Sequence, residues 1–194
     1  MQQPRQFTYK PTLLHKEQTL VVEPDYLQLN NIKIPKTEIA AIRYGVKGIK
    51  GYRFNIGRIN CIDIKTSQGK ILKIRLKSVY GIRKQLLHQK YTDMANALVK
   101  TYFTGIFNNY ISSFKNKTGF SILDTVITPD GIQLNKNAEL IAWIDVDIRT
   151  YWHYFAVISI SSPADYRAFH YIHEWNSIIL FSVLQYILKA RKEL

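Results

Sequence analysis

The chain contains an internal repeat. The segment VVEPDYLQLN, which ends at Asn30, returns 105 positions later as VITPDGIQLN, which ends at Asn135. A matching context follows the two copies: Ile34, Glu38 and Ile39 are answered by Ile141, Asp145 and Val146. Each copy then continues through short β-like runs into one long apolar segment of helical period, so the repeat measures a whole domain and not one turn of a solenoid. The sequence therefore predicts two related domains in tandem.

Composition places the chain among ordinary globular proteins. With 194 residues and 46% hydrophobic content it is long enough for two small cores. A single cysteine, Cys61, excludes an internal disulfide and a multi-cysteine zinc site, and it fits a reducing compartment. The first residues lack an apolar core of signal-peptide length, and the apolar stretch from Ile178 to Leu188 is too short to span a bilayer. We expect a cytoplasmic protein.

The net charge of +13 lies in the first copy. Residues 1–104 carry 19 Lys and Arg against 6 Asp and Glu, whereas residues 105–194 carry 8 against 8. Two copies of one fold, one strongly basic and one neutral, indicate that the first copy faces an anionic partner and the second something else. The alternative is that the basic residues only make the surface soluble.

Strand patterns dominate the first part of each copy. In the first copy, TLVVE and YLQLN flank Pro24-Asp25, which is typical of a hairpin turn. The glycine-rich basic segment GVKGIKGYRFNIGR is either a mobile loop or two strands around a turn, and the second copy lacks it. In KILKIRLKS, apolar residues alternate with basic ones, which predicts a strand. The outward basic residues are Lys73, Arg75 and Lys77.

Helical periodicity closes each copy. An apolar stripe with a period of 3.6 residues begins near Thr92 and reaches Phe114, and Thr92 or Asp93 can cap its start. The helix either ends at Gly105, where a second segment begins, or continues through it. A second stripe covers about Glu174 to Lys192.

This order of elements resembles the pleckstrin-homology-like (PH-like) barrels found in bacteria. The resemblance rests on the early hairpin, on the step Ile34-Pro35 followed by Glu38-Ile39, on the late hairpin and on the closing helix. It implies an α+β fold with two PH-like antiparallel β-barrels or sheets in tandem, each closed by a C-terminal amphipathic helix. The expected limits are 1–114 for a basic domain with a long C-terminal helix and 115–194 for a shorter, neutral domain.

The resemblance also implies a range of roles, since this barrel hosts lipid binding, peptide binding and structural functions. Lipid-binding members place paired basic residues around the first hairpin. The corresponding turn here is the acidic Glu23-Pro24-Asp25, which departs from that pattern.

No residue pattern indicates catalysis. His170, His173 and Glu174 form H-x-x-H-E, but metal-binding helices place two histidines four residues apart with the glutamate between them. The glycines near residues 45–57 have neither the spacing nor the strand-to-helix context of a phosphate loop. We therefore expect no enzyme, no cofactor, no metal and no small-molecule substrate.

Two candidate binding surfaces remain. Basic residues of the first copy form an anion-binding candidate for membrane lipid or nucleic acid, although the lack of interleaved exposed aromatic residues argues against a single-strand reader. The aromatic residues near 151–155 leave the predicted strand without a polar face, so one of its sides either packs on the other domain or forms an exposed patch for a protein partner. We expect an interaction or scaffolding module, with anionic-surface binding as the alternative. The anion-binding candidates are Lys47, Lys50, Arg53, Arg58, Lys73, Arg75 and Lys77, and the partner-binding candidates are Tyr151, Trp152 and Tyr154.

Overall fold

The chain folds as two compact units of mixed α+β structure. The computed structural model describes residues 4–12 and 14–192, and the units divide between Thr104 and Gly105. The charge follows this division, because the whole excess of positive charge lies in the first unit. Residues 105–114 were assigned to the first domain from the sequence, but in the structure they belong to the second unit.

The first unit has two antiparallel sheets followed by a helical segment. The strand orders are β1-β2-β3-β4 and β5-β6-β7. The strands are β1 (Arg5–Tyr9), β2 (Gln18–Val22), β3 (Tyr26–Leu29), β4 (Ile32–Pro35), β5 (Ile39–Gly51), β6 (Phe54–Thr66) and β7 (Ile71–Val79). A 3₁₀ turn, Lys36–Glu38, joins the sheets, and α1 (Lys84–Leu98), a π-helical turn (Val99–Phe103) and α2 (Thr104–Lys115) follow.

The second unit repeats this order with shorter strands. Its sheets have the orders β11-β10-β9-β8 and β12-β13-β14. The strands are β8 (Phe120–Ile122), β9 (Thr125–Ile127), β10 (Gly131–Gln133), β11 (Ile141–Ala142), β12 (Val146–Thr150), β13 (Tyr154–Ser159) and β14 (Tyr166–His170). A 3₁₀ turn, Trp143–Asp145, joins the two sheets, and α3 (Ser177–Lys192) ends the unit.

The two units share backbone hydrogen bonds at equivalent positions. In the first unit, Lys36 N–H donates to Asp25 O (2.8 Å), and in the second unit Trp143 N–H donates to Asp130 O (3.3 Å). A second matched pair consists of Ser67 N–H donating to Glu38 O (2.8 Å) and Ile160 N–H donating to Asp145 O (2.8 Å). The acceptors are paired by the sequence repeat, Asp25 with Asp130 and Glu38 with Asp145. The duplication therefore extends from the sequence to the hydrogen bonds at the two ends of the 3₁₀ turn in each unit.

Alternation of apolar and polar residues explains the second sheet of the first unit. Leu72, Ile74 and Leu76 of β7 are buried, as their period of two predicts. Ile62 of β6 lies directly opposite Ile74, so the inner face is continuous across the strands. On α1, Leu87, Met94 and Leu98 are also buried in the core of this unit.

The second unit has an aromatic core. Phe155 and Phe169 stack with their ring centroids 5.0 Å apart, and Phe181 of α3 lies 5.0 Å from Phe155. The residues of α2 pack within this unit too: Phe107 contacts Tyr186, Tyr110 contacts Phe120, and Phe114 contacts Trp143, each as a ring pair.

The first helix begins earlier than the sequence predicted. It starts at Lys84, because Arg83 with a φ of 54° reverses the chain and the segment that follows consists of good helix formers with Leu87 and Tyr91 buried. The predicted cap, Thr92, instead bonds its hydroxyl to His88 O within the helix. Gly105 does not end the helix, since α2 continues through it to Lys115.

Of the expected barrels or sheets, the structure has antiparallel sheets, because none of the four sheets in the described residues closes on itself. Strand β1, whose five residues pair fully with β2, was not predicted from the sequence. Strand β1 therefore precedes the predicted early hairpin, in which the Pro24-Asp25 turn joins β2 to β3. In the second unit, the corresponding extra strand β8 turns into β9 at Leu123-Asp124, where both residues have positive φ, as a tight hairpin requires.

Candidate functional site

The outer face of sheet β5-β6-β7 carries most of the predicted anion-binding residues. Lys73, Arg75 and Lys77 alternate along β7 and therefore point to one side. Lys77 lies opposite Ile59, which lies opposite Lys47 on β5, so Lys47 shares this side. We call this surface the basic face. It comprises Arg43, Lys47, Lys65, Lys73, Arg75 and Lys77 around one carboxylate, Asp63.

Asp63 organises the centre of the basic face. Its carboxylate is buried and forms ion pairs with Arg43 Nε at 3.1 Å and with Arg75 Nη2 at 2.5 Å. Arg75 Nη1 also donates to the carbonyl oxygens of Ile62 and Ile74. The Arg75 guanidinium is thus engaged by the protein itself, whereas the ammonium groups of Lys73 and Lys77 project from exposed side chains. The lysines are the residues of this face best placed to meet a ligand.

Cys61 lies opposite Arg75, on the same side of the sheet as the basic face, and is buried. Burial raises the pKa of its thiol, and the opposing effect of the Arg75 charge is smaller. A protonated, buried thiol is a poor nucleophile, so Cys61 acts here as a packing residue.

The glycine-rich basic segment forms two strands, which resolves the alternatives left open by the sequence. Strands β5 and β6 pair along their whole length as far as Gly51 and Phe54, with a bulge between Ile49 and Lys50. We call residues 47–58 the arm. Gly57 allows its close packing on β7, because a Cβ atom there would lie 2.3 Å from Ser78 O.

The tip of the arm combines cations with exposed aromatic rings. Tyr52 is fully exposed and Phe54 is 75% exposed, and the exposed Lys50 and Arg53 alternate with them. Tyr80, which is also exposed, donates its backbone N–H to Ile56 O beside the tip. The interpretation that the basic residues lack interleaved aromatic residues was therefore wrong. The signal in the sequence was the alternation in KGYRF, whose exposure depends on the hairpin.

Arg58 is separated from the other candidates. It lies opposite Gly48, so it points to the side of the sheet that is opposite to Lys47. Its Nη2 donates to Lys84 O at the start of α1, 3.1 Å away. The structure thus divides the seven predicted residues: Lys47, Lys73, Arg75 and Lys77 on the basic face, Lys50 and Arg53 at the tip, and Arg58 against the helix.

The predicted partner-binding residues lie at the corresponding hairpin of the second unit. Tyr151 and Trp152 form the turn between β12 and β13 and are exposed, Trp152 by 66%. Tyr154 is half-buried and stacks on Tyr151 at 4.6 Å. Equivalent turns of both units therefore present aromatic side chains to solvent.

The H-x-x-H-E segment has a structural role. Glu174 Oε2 accepts a hydrogen bond from the backbone N–H of His170 at 2.5 Å, and Oε1 lies 3.6 Å from Arg167 Nη2. Within residues 4–12 and 14–192, no three His, Cys, Asp or Glu side chains are grouped so as to hold a metal ion.

A second carboxylate is fixed by hydroxyl groups. Asp145 accepts hydrogen bonds from the hydroxyls of Ser159 (2.5 Å) and Ser161 (2.7 Å) and from the Ser161 N–H. These bonds hold the pKa of Asp145 below its usual range. These hydrogen bonds stabilise the 3₁₀ turn that joins the two sheets of the second unit, where Ile160 N–H also donates to Asp145 O.

The described helices are all too short or too polar to cross a lipid bilayer. Comparison of the chain with models of protein families, with curated proteins and with solved structures finds no match.

Proposed function

We propose that the chain is a non-enzymatic binding protein built from two PH-like domains, and that the first domain attaches to an anionic membrane surface through the tip of its arm. The order of elements supports the PH-like assignment. In each unit two antiparallel sheets, joined by a 3₁₀ turn, precede a C-terminal helix.

The observation that carries the membrane proposal is the composition of the tip. Aromatic side chains favour the interface between headgroups and acyl chains, and neighbouring cations are attracted to anionic lipids. Tyr52 and Phe54 supply the first property, and Lys50 and Arg53 the second. Each basic residue near such a surface contributes about 1 kcal/mol. Transfer of the exposed aromatic rings out of water lowers the free energy of the bound state further.

Nucleic acid is the less favoured anionic partner. The basic face that would contact a phosphate backbone has Asp63 at its centre, and this carboxylate engages two of its arginines, Arg43 and Arg75. The tip, by contrast, places exposed rings beyond the body of the sheet, as insertion into a membrane interface requires.

Sedimentation with vesicles tests the proposal. We expect the full chain to bind vesicles of phosphatidylcholine with phosphatidylserine and not vesicles of phosphatidylcholine alone. The double variant Tyr52→Ser, Phe54→Ser should lose most of this binding, because it removes only exposed rings. Ile144→Ser is the matched control, since Ile144 is 91% exposed in the second unit. Unchanged binding by the double variant, or a preference for DNA or RNA over vesicles, would refute membrane attachment.

Protein binding through the second unit is a second candidate function, favoured by the exposure of Trp152. A partner isolated from the source cells and then purified should bind the wild-type chain and fail to bind Trp152→Ser. If that variant binds the purified partner as tightly as wild type, the aromatic turn is not the binding site.

A further inference from the structure

The first unit contains a groove that neither the membrane proposal nor the sequence motifs account for. It has a volume of about 530 Å³ and lies between the β1–β2 connection, the end of β7 and the start of α1. This volume is within the range of about 300–1,000 Å³ that is usual for small-molecule sites.

The walls of the groove are held by hydrogen bonds. Lys77 N–H donates to Pro11 O, which fixes the β1–β2 connection beside β7. On the other side, Ser78 Oγ donates to Ile82 O, and Ile82 N–H donates to Val79 O. The turn that leads into α1 is therefore ordered before any ligand binds.

The interior of the groove is apolar and incompletely covered. Leu87 is buried at its floor, while Ile82 is 50% exposed and Leu14 is 96% exposed at its rim. Val79 completes the apolar lining. Such exposed apolar side chains around a concave surface are typical of a binding site for an apolar group.

Cations surround this apolar lining. Lys10, Lys77 and Arg83 line the groove, and its described lining residues include no Asp or Glu. The first turn of α1 also lacks an acidic residue, so the partial positive charge of the helix N-terminus is not neutralised there. We propose that the groove binds a single-chain amphiphile with an anionic head group, whose chain contacts Ile82 and Leu87 and whose head group is bound by Lys77 and Arg83.

A small amphiphile fits the groove because its volume is small, its walls are fixed by hydrogen bonds, and its described lining carries charge of one sign. It does not depend on membrane attachment, since the arm tip contributes no residue to the groove. Both a fatty acid and a phosphate monoester of a fatty alcohol have the required chemistry.

Titration calorimetry with the full chain and monomeric dodecanoate tests the proposal without vesicles. Dodecanoate should bind saturably, and dodecanol, which has the same chain without the charge, should bind at least about tenfold more weakly. Dodecyl phosphate in a parallel titration identifies which anionic head group is preferred. Acetate, which has the charge without the chain, should not compete.

Variants then locate the site. Ile82→Asp and Lys77→Glu should each weaken dodecanoate binding by about tenfold or more, whereas Lys73→Glu, on the same strand and face as Lys77, should change it by less than about twofold. Thermal unfolding confirms that each variant is folded. The variant Tyr52→Ser, Phe54→Ser should keep dodecanoate binding, which separates this site from the arm. Absence of saturable binding, equal affinity for dodecanol, or wild-type affinity in both groove variants would overturn the proposal.

Discussion

At the scale of single residues, Asp63 is the centre of the basic face. Without its carboxylate, the Arg43 and Arg75 guanidinium groups would repel each other over a largely buried site. An exposed ion pair contributes about 0–1 kcal/mol to the free energy of unfolding, and breaking a buried one costs about 3–5 kcal/mol. The Asp63 network lies between these two cases, because its carboxylate is buried and its arginines are partly exposed. We therefore expect Asp63→Asn to lower the free energy of unfolding by about 2 kcal/mol.

Urea unfolding measures this effect. The matched control is Asp124→Asn, because Asp124 lies 3.9 Å from Lys136 in a pair whose side chains are both mostly exposed. The control should shift the free energy of unfolding by less than about 0.5 kcal/mol. Equal effects of the two substitutions would show that the network on the basic face contributes no special stability.

Tyr102 connects the π-helical turn to the first proline turn. It is buried, and its hydroxyl lies within hydrogen-bond distance of Glu23 O (2.9 Å) and Tyr26 O (2.6 Å). The second unit attaches its own proline turn to its C-terminal helix with a different residue, since Arg191 Nη2 donates to Pro129 O. Tyr102→Phe should lower the free energy of unfolding by about 1 kcal/mol. Tyr80→Phe, which alters an exposed hydroxyl, is its control.

The pH dependence of the free energy of unfolding, compared between the wild type and Tyr102→Phe, distinguishes a buried tyrosine from an exposed one. Burial raises the pKa of Tyr102 in the folded state above the unfolded value of about 10. The contribution of the protonated Tyr102 hydroxyl to the free energy of unfolding is complete below about pH 10. It is lost as the pH rises towards the folded-state pKa, because the unfolded state then releases a proton that the folded state retains. We expect the wild type to lose more stability above about pH 10 than the variant does. An identical alkaline decline in both proteins would contradict this.

At the scale of elements, the arm is an extension of a hairpin that the second unit has in shorter form. Residues 50–56 can be replaced by Asn-Gly, which joins the paired residues Ile49 and Gly57 with a two-residue turn. The pairing of β6 with β7 remains, so the free energy of unfolding should change by less than about 1 kcal/mol. Binding to phosphatidylserine vesicles should be lost, as vesicle sedimentation can measure. Retained vesicle binding in the shortened protein would place the membrane contact elsewhere.

At the scale of the whole molecule, charge separates the two units, since the first carries the net +13 and the second is neutral. Vesicle binding should weaken as salt is added, because salt screens exposed charges. The double variant Lys50→Glu, Arg53→Glu should bind at least about thirtyfold more weakly, at about 1 kcal/mol per basic residue.

The corresponding control lies in the neutral unit. Lys117→Glu with Lys136→Glu makes the same change of net charge at two exposed positions there. It should leave most of the binding intact. Equal losses in both double variants would mean that net charge, and not the arm, determines attachment.

Much of the architecture was determined by the sequence alone. The repeated Pro-Asp turns, the alternation along β7 and the helical stripes are local patterns, and each depends on residues within a short distance along the chain. They therefore predicted the duplication, the α+β class and the common side of Lys73, Arg75 and Lys77. Strand β1 was missed because RQFTY is short and only its pairing with β2 defines it as a strand.

The candidate sites were decided by tertiary structure. The number of cations was evident in the sequence, but their grouping depends on strand register, which places Asp63 between Arg43 and Arg75 and turns Arg58 to the opposite side. Exposure of Tyr52 and Phe54 follows from the extension of β5 and β6 beyond the body of the sheet. The groove joins residues near position 12 to others near position 80, and only pairing between distant segments brings them together. Local periodicity specifies elements, whereas the contacts that make a site depend on residues far apart in the chain.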